Sequence, residues 1–346
     1  MKAGQWDNPK TVTRQKLKQV VIRDVPIPEP GPGEVLIKIK SASLCHSDLM
    51  MYNRANEEPI TMGHEGVGII EKIHPTAEGK GFSVGDAVGC GYFLDCCFEC
   101  EGCLTHNMLC ETGKQRLQGF TADGFFAEYA VEAWQNLAKI PSSDEYLSKA
   151  APIFCAGITA FHAVDSCELK EGQWLGVIGC GGLGQLACQY AKAMGCKVLG
   201  IDINDATLEV FKKQGADAIF NSRTNKDYVE ELKKLTNGGV HAAAVFSDAD
   251  AAYAGAPSVV RLNGLIMCVG LPKNPLSWVT ALDLCIGKYR LKGESTSIPQ
   301  RMKKAVDFTV KHKIIPEVDF RPLEDLGKMV EEMQAGKATK RQVVVF

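Results

Sequence analysis

Four cysteines, Cys97, Cys100, Cys103 and Cys110, follow one another with two, two and six residues between them. Thiolates at such spacing on one lobe can wrap a tetrahedral Zn²⁺ and leave no position open, which is the chemistry of a structural site. Cys96 is a fifth thiol out of step with the pattern and is read as a spare. A second group is dispersed: Cys45-His46-Ser47-Asp48, then Gly63-His64-Glu65-Gly66, then Cys155 in APIFCAGIT. Two thiolates and an imidazole would leave the fourth position of a tetrahedral zinc open, as Lewis-acid catalysis requires. Spacing alone leaves a core cysteine, a capping serine and a surface histidine open as alternatives here.

A third group is Gly179-Cys180-Gly181-Gly182-Leu183-Gly184. Gly179 permits a tight turn, Gly181 lets backbone approach a pyrophosphate, and Gly184 lets a helix pack closely on a strand. The diphosphate would rest on the helix N-terminus, where N–H groups and the dipole favour anions. Asp202 ends the next strand, where a carboxylate accepts from both ribose hydroxyls and repels a 2′-phosphate. No basic residue follows it until Lys212. Cys180 fills the variable slot as a small packing residue.

Elements must position these groups. The run WLGVI (174–178) reads as a strand into the glycines, LGQLACQYAKAMG as a helix stopped at Gly195, and KVLGI (197–201) as the strand before Asp202. Helices near 205–214 and 226–236 alternate with DAIF, HAAAVF and GLIMCVG. Residues 151–290 therefore read as a doubly wound parallel sheet. Residues 1–150 carry short β-branched runs punctuated by Pro and Gly, the texture of a small β-barrel or sandwich. The tail 291–346 ends in QVVVF and is expected to return to the first domain.

Composition bounds the function. The 346 residues are 45% hydrophobic and 23% charged, enough apolar sequence for two cores. A net charge of −2 offers no basic face for phosphate backbones, so neither nucleic acid nor a zinc-ribbon role is expected. No apolar run reaches the ~18 residues that span a bilayer. The polar N-terminus and the clustering of five among fourteen cysteines point to a reducing, cytoplasmic setting in which thiols bind metal.

Together GHEGVGII, APIFCAGIT, GCGGLG, QYAKAMGCKVLGID and the four-cysteine lobe resemble the zinc-dependent alcohol dehydrogenases of the medium-chain dehydrogenase/reductase superfamily, in their yeast-type branch, over essentially the whole chain. The resemblance implies an α/β protein in which a GroES-like β-barrel catalytic domain joins a Rossmann doubly wound parallel sheet. It implies reversible oxidation of an alcohol to an aldehyde or ketone, by hydride transfer to NAD from a zinc-bound alkoxide. By the same resemblance Cys45, His64 and Cys155 hold the catalytic zinc, and Cys97, Cys100, Cys103 and Cys110 hold the structural one, two Zn²⁺ per subunit. Glu65 is a carboxylate that transiently takes the metal, Asp48 orients the ligating imidazole, and Ser47 accepts the substrate proton. His46 and Arg341 touch the cofactor phosphates, while Thr159, Leu183 and the Val269-Gly270-Leu271 strand end line the nicotinamide pocket. A homotetramer acting on a small alcohol or aldehyde is implied, with no membrane partner. A polyol or sugar dehydrogenase, a zinc-free quinone or enoyl reductase and a non-catalytic zinc scaffold are the rival readings.

The chain departs from that family at four places. Six residues rather than seven separate Cys103 from Cys110. The loop from Tyr52 to Pro59 is about four residues shorter. Tyr92 stands where ethanol-preferring relatives carry Trp, and Met50 where many carry a His that ends the proton relay.

Overall fold

In the computed structural model residues 1–7, 19–52, 54, 56, 58–296 and 298–346 are described. The shortened loop after Tyr52 therefore lies partly outside the described residues. The chain forms two units, one of Met1–Cys155, Ser297–Val310 and Ile315–Phe346, the other of Ala156–Thr296 and Lys311–Ile314.

The first unit is built on the strand Glu34–Leu44, whose EVLIKIKSASL buries most of its side chains. It pairs antiparallel with Gly66–Ile73, with Tyr129–Ala133 and with the C-terminal strand Arg341–Val345. Ala87–Cys90 and Leu137–Lys139 extend the sheet on one side and Val318–Arg321 on the other. A smaller sheet joins Gln19–Asp24, Lys2–Asp7 and Ile60–Thr61. Val35, Ile37, Ile39, Ile70, Val88, Phe125 and Phe126 fill the core between them. Along the central strand the β-branched Val35, Ile37 and Ile39 recur at every second position and enter this core, the period of one sheet face.

The second unit carries six parallel strands in the spatial order Ala218–Asn221, Lys197–Asp202, Trp174–Ile178, Val240–Val245, Val260–Cys268, Tyr289–Gly293. WLGVI is buried at all five positions. Parallel strands covered on both faces read as continuous apolar runs rather than alternating ones. The order reverses between Trp174–Ile178 and Val240–Val245, and the glycine turn leaves the first of these, at the place where such sheets bind ligands. The sixth strand runs to Gly293, past the boundary near 290 set from sequence. Its Leu291 and Lys292 alternate with little apolar content, so the hydrophobic pattern does not announce it. The sequence boundary at 150 likewise falls short of Cys155, because the turn Ala151–Phe154 is buried with the first unit. Among the described residues no helix is long and apolar enough to cross a membrane.

Candidate active site

The dispersed group converges in the first unit. One ligand atom from each of Cys45, His64, Glu65 and Cys155 lies within 4.8 Å of the others, and all four residues are buried. Cys45 ends the central strand and caps a 3-10 helix, His46–Met51. Within that helix Asp48 makes the decisive link. Its Oδ2 accepts from the Cys45 backbone N–H at 2.8 Å, and its Oδ1 lies 2.7 Å from Nδ1 of His64. The imidazole is thereby held with Nδ1 toward the carboxylate and Nε2 toward the cysteines. Nε2 is buried with no hydrogen-bond partner among the described residues. A buried acceptor without a partner is costly unless a ligand satisfies it, and two sulfurs, a nitrogen and a carboxylate oxygen are a donor set that suits zinc.

The register of the C-terminal strand supplies a further partner. Gln342 lies opposite Leu44, so Arg341 stands beside Cys45. Its guanidinium donates to Oε2 of Glu65, which also accepts from Ser43 Oγ. Arg341, expected on a cofactor phosphate, here holds Glu65. Ser43 was not singled out from sequence, since a serine inside a strand carries no signal until its partner is known. The rings of Tyr92 and Phe120 lie 5.0 Å from the His64 ring and enclose it.

Burial pushes the Glu65 carboxyl up to about 8, against the pull of Arg341 in the other direction. Burial alone would lower His64, but the Asp48 carboxylate overrides it and raises the imidazole well above its ordinary value. The hydrogen bond between Cys45 and Cys155 holds the first thiol well down and drives the second well up. A divalent cation reverses that balance, favouring two thiolates and a neutral imidazole.

Cys97, Cys100, Cys103 and Cys110 form a second cluster with sulfurs within 4.8 Å. Cys97 Sγ lies 3.9 Å from Cys103 Sγ and 3.8 Å from Cys110 Sγ. Cys100 Sγ accepts from the N–H groups of Cys103 and Glu111, each at 3.4 Å, and both lower its pKa. The six-residue spacing closes because Gly102 has no side chain. A Cβ there would stand 1.8 Å from the Leu109 carbonyl oxygen, so the helix Glu101–Thr105 touches the turn Asn107–Leu109 directly. Cys96 points instead at the carbonyls of Leu94 and Asn107, 3.8 Å from each.

In the second unit Gly179 has φ +91°, which favours glycine, and a Cβ at Gly184 would stand 2.2 Å from the Gly179 carbonyl. A Cβ at Gly181 would meet no protein atom, so the space over that backbone is open. Gly181 caps the helix Gly182–Ala193 without a side-chain bond. Asp202 Oδ2 accepts from Cys180 N–H at 2.8 Å, and Oδ1 from Ile203 and Asn204 N–H at 2.7 and 3.0 Å. The carboxylate thus ties the glycine turn to the end of the neighbouring strand. An open N-terminal cradle beside a fixed carboxylate fits a dinucleotide. Leu183 opens the helix, half buried. Thr159 is buried in the helix Ala156–Asp165, Val269 N–H bonds the Val245 carbonyl, and Leu271 is exposed. Cys180 is fully buried, as a packing residue should be. In the first unit His46 is exposed and Ser47 half buried on the 3-10 helix that Cys45 caps.

Residues 31–142 match the alcohol dehydrogenase GroES-like domain and residues 182–311 the zinc-binding dehydrogenase domain. An alcohol dehydrogenase of Geobacillus stearothermophilus is 34% identical over 338 residues, covering 96% of this chain and 98% of that protein. The chain is a zinc-binding dehydrogenase of the medium-chain dehydrogenase/reductase superfamily. Two solved structures resemble this zinc-binding dehydrogenase over 100% of both chains. They are the alcohol dehydrogenase of the hyperthermophilic archaeon Aeropyrum pernix, 27% identical with TM-score 0.86, and an NAD-dependent alcohol dehydrogenase, 25% identical with TM-score 0.85. The first unit is accordingly the GroES-like domain of this family, and the second its Rossmann-like domain.

Proposed function

We infer that this dehydrogenase interconverts alcohols with aldehydes or ketones, using NAD and two zinc ions per subunit. One observation carries the reading: Cys45, His64, Glu65 and Cys155 meet in a buried group whose His64 Nε2 has no hydrogen-bond partner among the described residues. Cys45, His64 and Cys155 would hold the reactive zinc, and Cys97, Cys100, Cys103 and Cys110 the structural one. When bound, zinc supplies Lewis acidity toward an alcohol or carbonyl oxygen, and NAD supplies the hydride acceptor.

The protein's own residues do the remainder. Asp48 fixes the His64 tautomer and so the direction of its Nε2 lone pair. Arg341 and Ser43 hold Glu65 beside the ligands, available for exchange at the metal. Tyr92 and Phe120 exclude water from one side of His64. Ser47 Oγ, half buried on the 3-10 helix that Cys45 caps, would take the proton of an alcohol hydroxyl and hand it on to water. The glycine turn would receive the diphosphate and Asp202 the adenosine ribose. GHEGVGII and APIFCAGIT favour the yeast-type branch, and that branch favours a homotetramer.

Elemental analysis should give two zincs per chain. A panel of primary, aromatic and secondary alcohols assayed with NAD and NADP tests the activity. Failure to reduce NAD with any of them, in protein carrying both metals, would overturn the reading.

A further inference from the structure

The barrel strand Tyr129–Ala133 alternates buried and half-buried positions, and Glu132 occupies a buried one. An apolar residue belongs there, because a carboxylate placed inward loses its hydration. Glu132 is 0% exposed. Its Oε1 accepts from Ala133 N–H at 2.9 Å and from Asn136 Nδ2 at 2.8 Å, while Oε2 is buried without a hydrogen-bond partner among the described residues. A residue that breaks the local pattern at such cost marks a position held for something other than stability.

The contacts of Asn136 show what is held. It is 1% exposed and ends the 3-10 turn Trp134–Asn136. Its backbone carbonyl accepts from Gly91 N–H at 2.8 Å, and its Nδ2 also donates to the Phe93 carbonyl. The residues on both sides of Tyr92 are therefore fastened to Asn136. Between them, the Tyr92 carbonyl accepts from Gln118 N–H at 3.0 Å. The Tyr92 ring stacks on Phe93 at 4.5 Å and stands edge-on to His64 at 5.0 Å.

We propose that Glu132 and Asn136 are positioning residues that set the Tyr92 ring against His64, and thereby set the wall that determines how bulky an alcohol the site accepts. This rests on the alcohol dehydrogenase reading for its substrate class, though not for its geometry. Glu132 holds the Asn136 amide, Asn136 holds Gly91 and Phe93, and the backbone so fixed aims the ring. Neither residue touches the reacting atoms.

The test is a double-variant cycle on the metal-loaded protein, with kcat and KM measured for ethanol, benzyl alcohol and NAD. Asn136→Ala should change the benzyl-to-ethanol ratio of kcat/KM by about tenfold, within the range of coupling between touching residues, and leave KM for NAD unchanged. Glu132→Ala should shift it in the same direction by less, and Glu132→Gln, which keeps the acceptor Oε1, should restore it. Tyr92→Ala should shift the ratio too, and adding Asn136→Ala to Tyr92→Ala should change nothing further. Additive effects, or equal changes for both alcohols, would overturn the proposal. Cobalt substituted for the metal gives a readout independent of turnover. Its visible absorption should move in Asn136→Ala and in Tyr92→Ala, and the double variant should match the latter. If the wild type turns over no alcohol, the functional reading fails and the cobalt spectra still decide the positioning. Loss of folding in both alanine variants at Glu132 and Asn136 would assign the pair to stability alone and also overturn it.

Discussion

In the proposed function Asp202 is the side chain on which cofactor choice would turn. With both oxygens engaged by backbone N–H groups, it cannot swing aside for a 2′-phosphate, and a like-charge contact there costs several kcal/mol. NAD should therefore be preferred over NADP by about 10²-fold or more in kcat/KM. Asp202→Gly should raise kcat/KM for NADP by a similar factor. Exposed Arg223, which follows the strand end paired with Asp202, stands on the same sheet edge as a counter-charge. Steady-state rates with the two cofactors check both statements. Met50 is 68% exposed on its 3-10 helix and carries no exchangeable proton. Met50→His should add a group titrating near ~6.5 to the pH–rate profile, whereas Ser47→Ala should lower the rate at every pH by roughly 10² or more. A superimposable profile for Met50→His would remove position 50 from the relay.

Glu132 yields a stability prediction with a defined sign. Burial raises its carboxyl well above the ordinary range, Asn136 and Ala133 oppose that rise, and Glu34 adds to it, while its charge in turn raises the buried Cys90 thiol. Above the unfolded glutamate value of about 4.3 the unfolded chain has released this proton and the folded chain still holds it. Stability from this group is then full at acid pH and declines as pH rises toward the folded value. Glutamine does not titrate, so the melting temperature of Glu132→Gln relative to wild type should climb with pH. A pH-independent difference would contradict the assignment.

At the scale of elements, the four-cysteine lobe has almost no core of its own. Leu104, Met108 and Leu109 are exposed, and the four thiols occupy its centre. Metal must supply its folding free energy. Cys103→Ser should leave one zinc per chain and lower the melting temperature by about 10 °C, since a few kcal/mol moves the midpoint by that much in a unit of this size. Metal content and calorimetry measure both. An unchanged zinc count would remove Cys103 from the ligand set. The lobe and the glycine turn were legible in sequence because their parts lie close along the chain. Strand, turn and helix at 174–193 follow from one apolar run, three glycines and a helical repeat. The sixth strand and the role of Glu132 were not legible, because an edge strand has a mixed pattern and a buried carboxylate looks like a surface one until its neighbours are known.

At the scale of the molecule, the strand Tyr289–Gly293 ends the parallel sheet with one edge unpaired among the described residues. Leu282 and Ile286, from the short helix beside it, are 68% and 67% exposed. An unpaired strand edge beside exposed apolar side chains is where a second copy would pair. Leu282→Asp with Ile286→Asp should reduce the assembled mass in sedimentation, and an unchanged mass would move the proposed tetramer's contacts elsewhere. The sequence by itself determined the two-domain class, the four-cysteine lobe and the glycine turn, and marked Cys45, His64 and Cys155 as candidate ligands through a family resemblance. Local spacing suffices for the first three, because ligands a few residues apart are brought together by one turn of backbone. Only the tertiary structure decided that Arg341 and Ser43 hold Glu65, and that Asn136 fastens the chain around Tyr92. Arg341 and Glu65 are 276 residues apart. Their meeting depends on the register of a C-terminal strand beside the central one, and a one-residue slip would turn that guanidinium to the opposite face.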